Sequence, residues 1–135
     1  MEAARRQKHL VLILAREFAS QLSTPVFITD EEGRIVFYNE PAEEVLGRTF
    51  AETGELPASE WFSMISVETL DGRPLAVDDM PGGIARRERR PVHSTLRITG
   101  LDGKPRVIED TAFPLLGHDQ ELHGSVAIFW EQTED

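Results

Sequence analysis

The apolar positions divide this chain into one helical opening followed by a series of short strands. Val11, Leu14, Phe18 and Leu22 recur at helical spacing, with Leu10 and Ala15 beside them. That pattern predicts a helix over about residues 4–22. Leu12 and Ile13 widen its apolar surface beyond one stripe. A surface so wide suits two neighbours, the chain's own sheet and a partner chain; one amphipathic helix covering a sheet face is the simpler reading. Pro25 cannot continue the helix. Residues 26–29 then form a strand, residues 30–33 a turn around Gly33, and residues 34–38 a second strand. Asn39 is a good helix cap and Pro41 fits a first turn, so residues 42–46 form a short helix that Gly47 stops.

The middle of the chain is less periodic. Residues 58–65 suit a helical turn or two, with Trp61, Phe62 and Ile65 as core plugs, and residues 71–74 form a turn. Asp78 and Asp79 suit the positive end of a helix with Pro81 in its first turn. This helix runs past Ile84 and Ala85 to Arg90, where Pro91 ends it. Three strand-like runs follow, separated by a turn at Asp102 and Gly103 and by a polar loop over 117–121. In the first run Val92, Ser94, Leu96 and Ile98 share one side, while His93, Thr95, Arg97 and Thr99 share the other. In the last run Val126, Ile128 and Trp130 face one way, and Ala127 and Phe129 the other. A strand apolar on both faces is central and covered twice.

The order helix, two strands, three short helices, three strands contains no βαβ alternation. The class is therefore α+β with an antiparallel sheet. At 135 residues the chain forms one domain able to bury a core. Its net charge of −10 excludes nucleic-acid binding through phosphates as a main role. With no cysteine there are no disulfides, thiolate metal sites or cysteine chemistry, which fits a cytoplasmic location. The apolar run over 10–15 is interrupted by Arg16 and Glu17. It is too short for a secretory core or a membrane span, so this segment is not expected to insert into a membrane.

From residue 23 to the end the chain resembles a PAS domain, the sensory module of bacterial sensor histidine kinases and other signalling proteins. Four segments carry the likeness: residues 26–47 with Asp30, Gly33, Asn39, Leu46 and Gly47; residues 71–92 with Asp79, Met80, Pro81 and Pro91; residues 101–124 with Asp102, Gly103, Ala112, Phe113, Pro114 and Gly124; and residues 129–134. In the last, Glu131, Gln132 and Thr133 keep only an acid and the threonine of the family's Asp-Ile-Thr exit signature. The resemblance implies a five-stranded antiparallel sheet in the order 2-1-5-4-3, with short helices on one face and an N-terminal helix on the other. It divides the chain into a helix over 1–22 that covers the sheet or contacts a partner, a PAS core over 23–130, and the start of an exit linker over 131–135. It also implies signal transduction in a two-component system. There the domain would sense a small-molecule ligand, form a homodimer, or do both, and relay the change to a downstream effector such as a histidine kinase. The chain is expected to be either a fragment of a longer protein or a stand-alone domain that works by association.

The cofactor is left unknown. Light-sensing flavin members need a cysteine, which is absent, and heme members draw a histidine from the helix before the third strand, which has none; flavin and heme are not expected. His93 lies just beyond that helix, but alternation turns it away from Leu96. His118, Asp119, Glu121 and His123 share one loop; such residues are routine in polar loops, and no metal site is assigned. Asp110 shares the inner face with Ile108 and Ala112. A carboxylate there either touches a ligand or pairs internally with Ser94 or an arginine. The expected cavity residues are Met80, Ile84, Ser94, Leu96, Ile108, Asp110 and Val126. The expected dimer contacts are Val11, Leu14, Phe18 and Leu22. The run Arg86 to Arg90 is either an anion clamp or a solvated face, and Gly82 and Gly83 suggest a mobile lid or simply room for one. No catalytic residues are assigned. The alternatives are a small enzyme or carrier using Asp110 as a buried base, and a ligand-free dimerisation module.

Overall fold

The computed structural model describes residues 2–132, with side chains from residue 6 onward. The last three residues of the expected exit linker lie outside the described residues. The N-terminal helix α1 spans Glu2–Ser20. The strands β1 (Val26–Asp30) and β2 (Arg34–Tyr38) follow, then the short helices α2 (Glu40–Leu46) and α3 (Phe50–Thr53). Next come β3 (Leu56–Pro57), α4 (Ala58–Trp61), β4 (Ser66–Glu68) and a 3-10 turn at Val77–Asp79. Helix α5 (Pro81–Glu88) leads into β5 (Val92–Thr99), β6 (Pro105–Leu116) and β7 (Leu122–Glu131).

The sheet is antiparallel with order β3-β2-β1-β7-β6-β5-β4, so among the described residues it has seven strands rather than the expected five. The five long strands lie side by side as β2-β1-β7-β6-β5. The two additions are edge strands of two and three residues. They pair Arg34 with Pro57 and Val67 with Ile98. Segments so short carry no visible alternation. Helix α3 was also missed; its capping box between Thr49 and Glu52 is the signal that marks it.

Strand β6 runs through Pro114 to Leu116. Strand β5 begins at Val92, opposite Ala112, so β6 is an edge strand beyond that point. Pro114 pairs only with Ser125 of β7, and its missing N–H removes no bond toward β5.

The two faces of the sheet hold separate cores. On the inner face Phe27 stacks on Phe129 at 5.6 Å and meets Trp61 edge-on at 5.4 Å. Tyr38, Leu46, Ile98 and Ile108 pack into the same cluster beneath α2, α4 and α5. On the outer face Val26, Ile28, Val36 and Val126 pack against Leu12, Ala15, Ala19 and Leu22. Of the residues expected to contact a partner, Leu14 and Phe18 are 58% and 62% exposed, and the small Ala15 and Ala19 let the helix approach the sheet closely.

Buried Asn39 joins these parts. Its side-chain oxygen accepts from the Ala42 N–H at the start of α2 and from the Val26 N–H of β1. Its amide donates to the carbonyls of Ala19 and Thr24 at 2.9 Å. The Ala19 carbonyl near the end of α1 also accepts from the Leu22 N–H at 3.1 Å, and α1 stops at Ser20 instead of reaching residue 22.

Candidate functional site

A cavity of about 70 Å³ lies between the inner sheet face and α4 and α5. Phe27, Ile35, Leu96, Ile108 and Phe129 supply apolar walls. Three polar features break them. Thr29 and Ser125 sit opposite each other in β1 and β7, with their hydroxyls 2.6 Å apart. Asp110 comes from β6, where it pairs with Ser94 of β5 and Phe129 of β7. Arg86 comes from α5 and reaches across the turn between β1 and β2.

Asp110 is the anomalous group. Its Oδ1 is enclosed, and among the described residues it has no hydrogen-bond partner. The internal pairing with Ser94 or an arginine is therefore not made. Burial pushes its carboxyl from 3.8 to about 7, because a charge loses its hydration there and nothing replaces it.

Arg86 is held loosely. A guanidinium N–H donates to the Glu31 carbonyl at 3.4 Å, and the nearest carboxylate oxygen, on Asp78, is 3.7 Å away. Charge-assisted bonds are usually about 2.7–2.9 Å. The guanidinium lies directly over Gly33, where a Cβ would collide with it. On the other side of that turn, Lys8 of α1 donates to the Glu31 carboxylate at 2.7 Å.

The first turn of α5 borders the cavity through Gly82 and Gly83, and no side chain caps it. The two glycines differ. A Cβ on Gly83 would sit 2.6 Å from the Val77 carbonyl, whereas a Cβ on Gly82 would meet nothing within 4 Å. Gly83 thus lets the 3-10 turn lie against α5, and Gly82 leaves space. Helix α5 ends at Glu88, short of Arg90, with Arg89 in the left-handed region.

Of the expected cavity residues, Met80, Leu96, Ile108 and Asp110 line it. Ile84 is half-buried on α5 without lining it. Ser94 borders a separate surface groove beside Thr69, Arg73 and Asp79. Val126 is corrected to the outer face, because strand parity sets it opposite to Ala127 and Phe129. Arg86, from the run weighed as an anion clamp or a solvated face, also lines it, while Thr29 and Ser125 were missed. The signal for Thr29 was available, since it shares a strand face with Phe27.

Val11, Leu14, Phe18 and Leu22 line a groove between α1 and the outer sheet face, with Phe113, Leu115 and Ile128 opposite. His93 is exposed on the outer side, 3.2 Å from Glu109 and beside Trp130. His118 and Asp119 are exposed, while buried His123 donates to Gln7 of α1 at 3.0 Å. Among the described residues no three potential ligands group around a metal position. No described helix is long and apolar enough to cross a membrane.

A cavity of about 70 Å³ is far below the roughly 300–1,000 Å³ of usual cofactor and drug-sized sites. Flavin and heme do not fit it, and neither a cysteine nor a histidine borders it.

An antiparallel sheet with short helices over a small cavity on one face defines an α+β module. The PAS fold family matches residues 19–135, and the chain belongs to that family. The PAS domain of BvgS from Bordetella pertussis is 19% identical, with a TM-score of 0.63 over 91% of this chain and 86% of that one. The PAS domain of nitrogen regulation protein NR(II) from Vibrio parahaemolyticus is 16% identical, with a TM-score of 0.61 over 88% and 98%. The light-state dimer of the fungal blue-light photoreceptor Vivid is 17% identical, with a TM-score of 0.60 over 81% and 78%. These likenesses concern the fold. No curated protein sequence matches the chain.

Proposed function

We propose that this chain is a non-catalytic sensory domain of the cytoplasm. It binds a small molecule between the sheet and α5, pairs with a second copy, and relays the change through β7 to an effector such as a histidine kinase. The observation that carries this reading is the Asp110 carboxyl oxygen, enclosed and without a hydrogen-bond partner among the described residues, in a largely apolar cavity. Membership of the PAS family supports a signal-sensing role. Pairing is supported by Leu10, Ile13, Leu14 and Phe18, each more than half exposed on one helix. The Vivid structure is itself a dimer. The exit through β7 is supported by its central place, with β1 and β6 on either side.

A second reading, a pairing module with an empty core, is favoured by the small cavity. A native mass spectrum of the protein purified from its host separates the two. A dimer with added mass is expected, and a dimer without it would establish the empty module. The Leu14→Glu, Phe18→Glu double variant should sediment as a monomer that keeps the added mass. A wild-type monomer would remove the pairing role.

A further inference from the structure

Two groups of opposite charge border this cavity without meeting. Arg86 and Asp110 both line it, yet among the described residues they share no hydrogen bond or ion pair. Partly or wholly buried charges are costly unless paired. The side chain of Arg86 is only 21% exposed, and its two contacts are long. It therefore has donors to spare. Next to it the uncapped first turn of α5 presents backbone N–H groups and the positive end of the helix, with nothing over Gly82. At Asp110 the polar need is different. Its carboxyl accepts a hydrogen bond when ionised and donates one when protonated.

Resting on the ligand-binding reading above, we propose that the cavity recognises a compact carboxylic acid with a second hydrogen-bonding group. The carboxylate lies at Arg86 and the α5 N-terminus, and a hydroxyl or amino group lies at Asp110. Size supports the same class: about 70 Å³ corresponds to roughly two to five water molecules, the scale of a three-carbon acid. A purely apolar guest would leave both groups unpartnered. A diamine would meet Arg86 with like charge, and a dicarboxylate would meet Asp110 with like charge. A hydroxyl suits Asp110 in either protonation state, since it donates and accepts.

The test is titration calorimetry of the whole protein at neutral pH with L-lactate, L-alanine, propionate and isopropylamine, alongside xenon as a probe of the bare cavity. Either L-lactate or L-alanine should bind at least about tenfold more tightly than propionate or isopropylamine, the usual worth of a hydrogen bond to a charged group. Asp110→Asn should reduce the better acid to the level of propionate and leave propionate unchanged. Arg86→Gln should weaken both acids about tenfold or more, with Arg86→Lys intermediate because the charge remains but the fork is lost. Gly82→Ala, which meets no neighbour, tests the α5 contact in a chain that keeps its fold and should also weaken both acids. Propionate binding as tightly as the better acid, or affinities indifferent to Asp110→Asn, would overturn the proposal. Xenon entering while every acid is refused would overturn the ligand class and leave the cavity reading standing. If xenon is refused as well, both readings fall.

Discussion

Replacing Asp110 by asparagine should change the pH dependence of folding in a defined direction. In the folded chain the carboxyl titrates near about 7, against an ordinary value of 3.8. Below 3.8 both folded and unfolded chains hold the proton, and above about 7 both have lost it. Between these limits the folded chain binds a proton that the unfolded chain has released, so stability falls as pH rises. At ~1.4 kcal/mol per pH unit, the span from 3.8 to about 7 sets a ceiling of about 4 kcal/mol. Water entering the cavity would lower it. The assay is urea unfolding from pH 4.5 to 8.5 on wild type and Asp110→Asn, read at a common m-value. Every other carboxylate titrates in both proteins, so the difference between the two curves isolates Asp110. Wild type should lose stability relative to the variant by at least about 2 kcal/mol across this range, most of it below pH 7. Curves that stay parallel to within about 0.5 kcal/mol would refute the burial argument, since surface carboxylates shift stability by no more than that.

Two further outcomes test the fold around the site. Asn39→Ala strands the Val26 and Ala42 N–H groups and the Thr24 carbonyl, and removes one of two bonds to the Ala19 carbonyl; it should cost about 3 kcal/mol by urea unfolding. It should also loosen the end of α1, seen as faster amide exchange at residues 19–26. Gly124→Ala would drive a Cβ into the Thr29 carbonyl across β1 and β7. It should cost more than about 3 kcal/mol, or abolish cooperative unfolding by circular dichroism.

Local chemistry made much of this architecture readable. Asn39, Pro41 and Gly47 mark both ends of α2, and Gly47 does adopt the left-handed conformation at φ 85°. The alternation of Leu96 and Ile98 in β5 identified the inner face. What was hidden depends on distance in the sequence. Asn39 reads as a cap for its own helix, but its bonds to Ala19 and Val26 require α1 and β1 to be placed first. Arg86 looks like one charge in a basic run until the turn at Gly33 comes beneath it. Val126 was assigned to the cavity although its own alternation with Ala127 pointed away from it. On α1 the alanines Ala15 and Ala19, not the larger residues, decide how closely the helix approaches the sheet.

Gly83 has a kinematic consequence. Because no Cβ would fit between Gly83 and the Val77 carbonyl, the 3-10 turn and the start of α5 leave little slack between them. The roof over the cavity is therefore a stiff wedge and not a flap with its own hinge at the two glycines. Making room for a larger guest means translating residues 77–88 together, away from β6 and β7, and the packing against those strands resists that displacement. Amide exchange would report one opening event shared by the turn and the helix, rather than a gradient starting at Gly82.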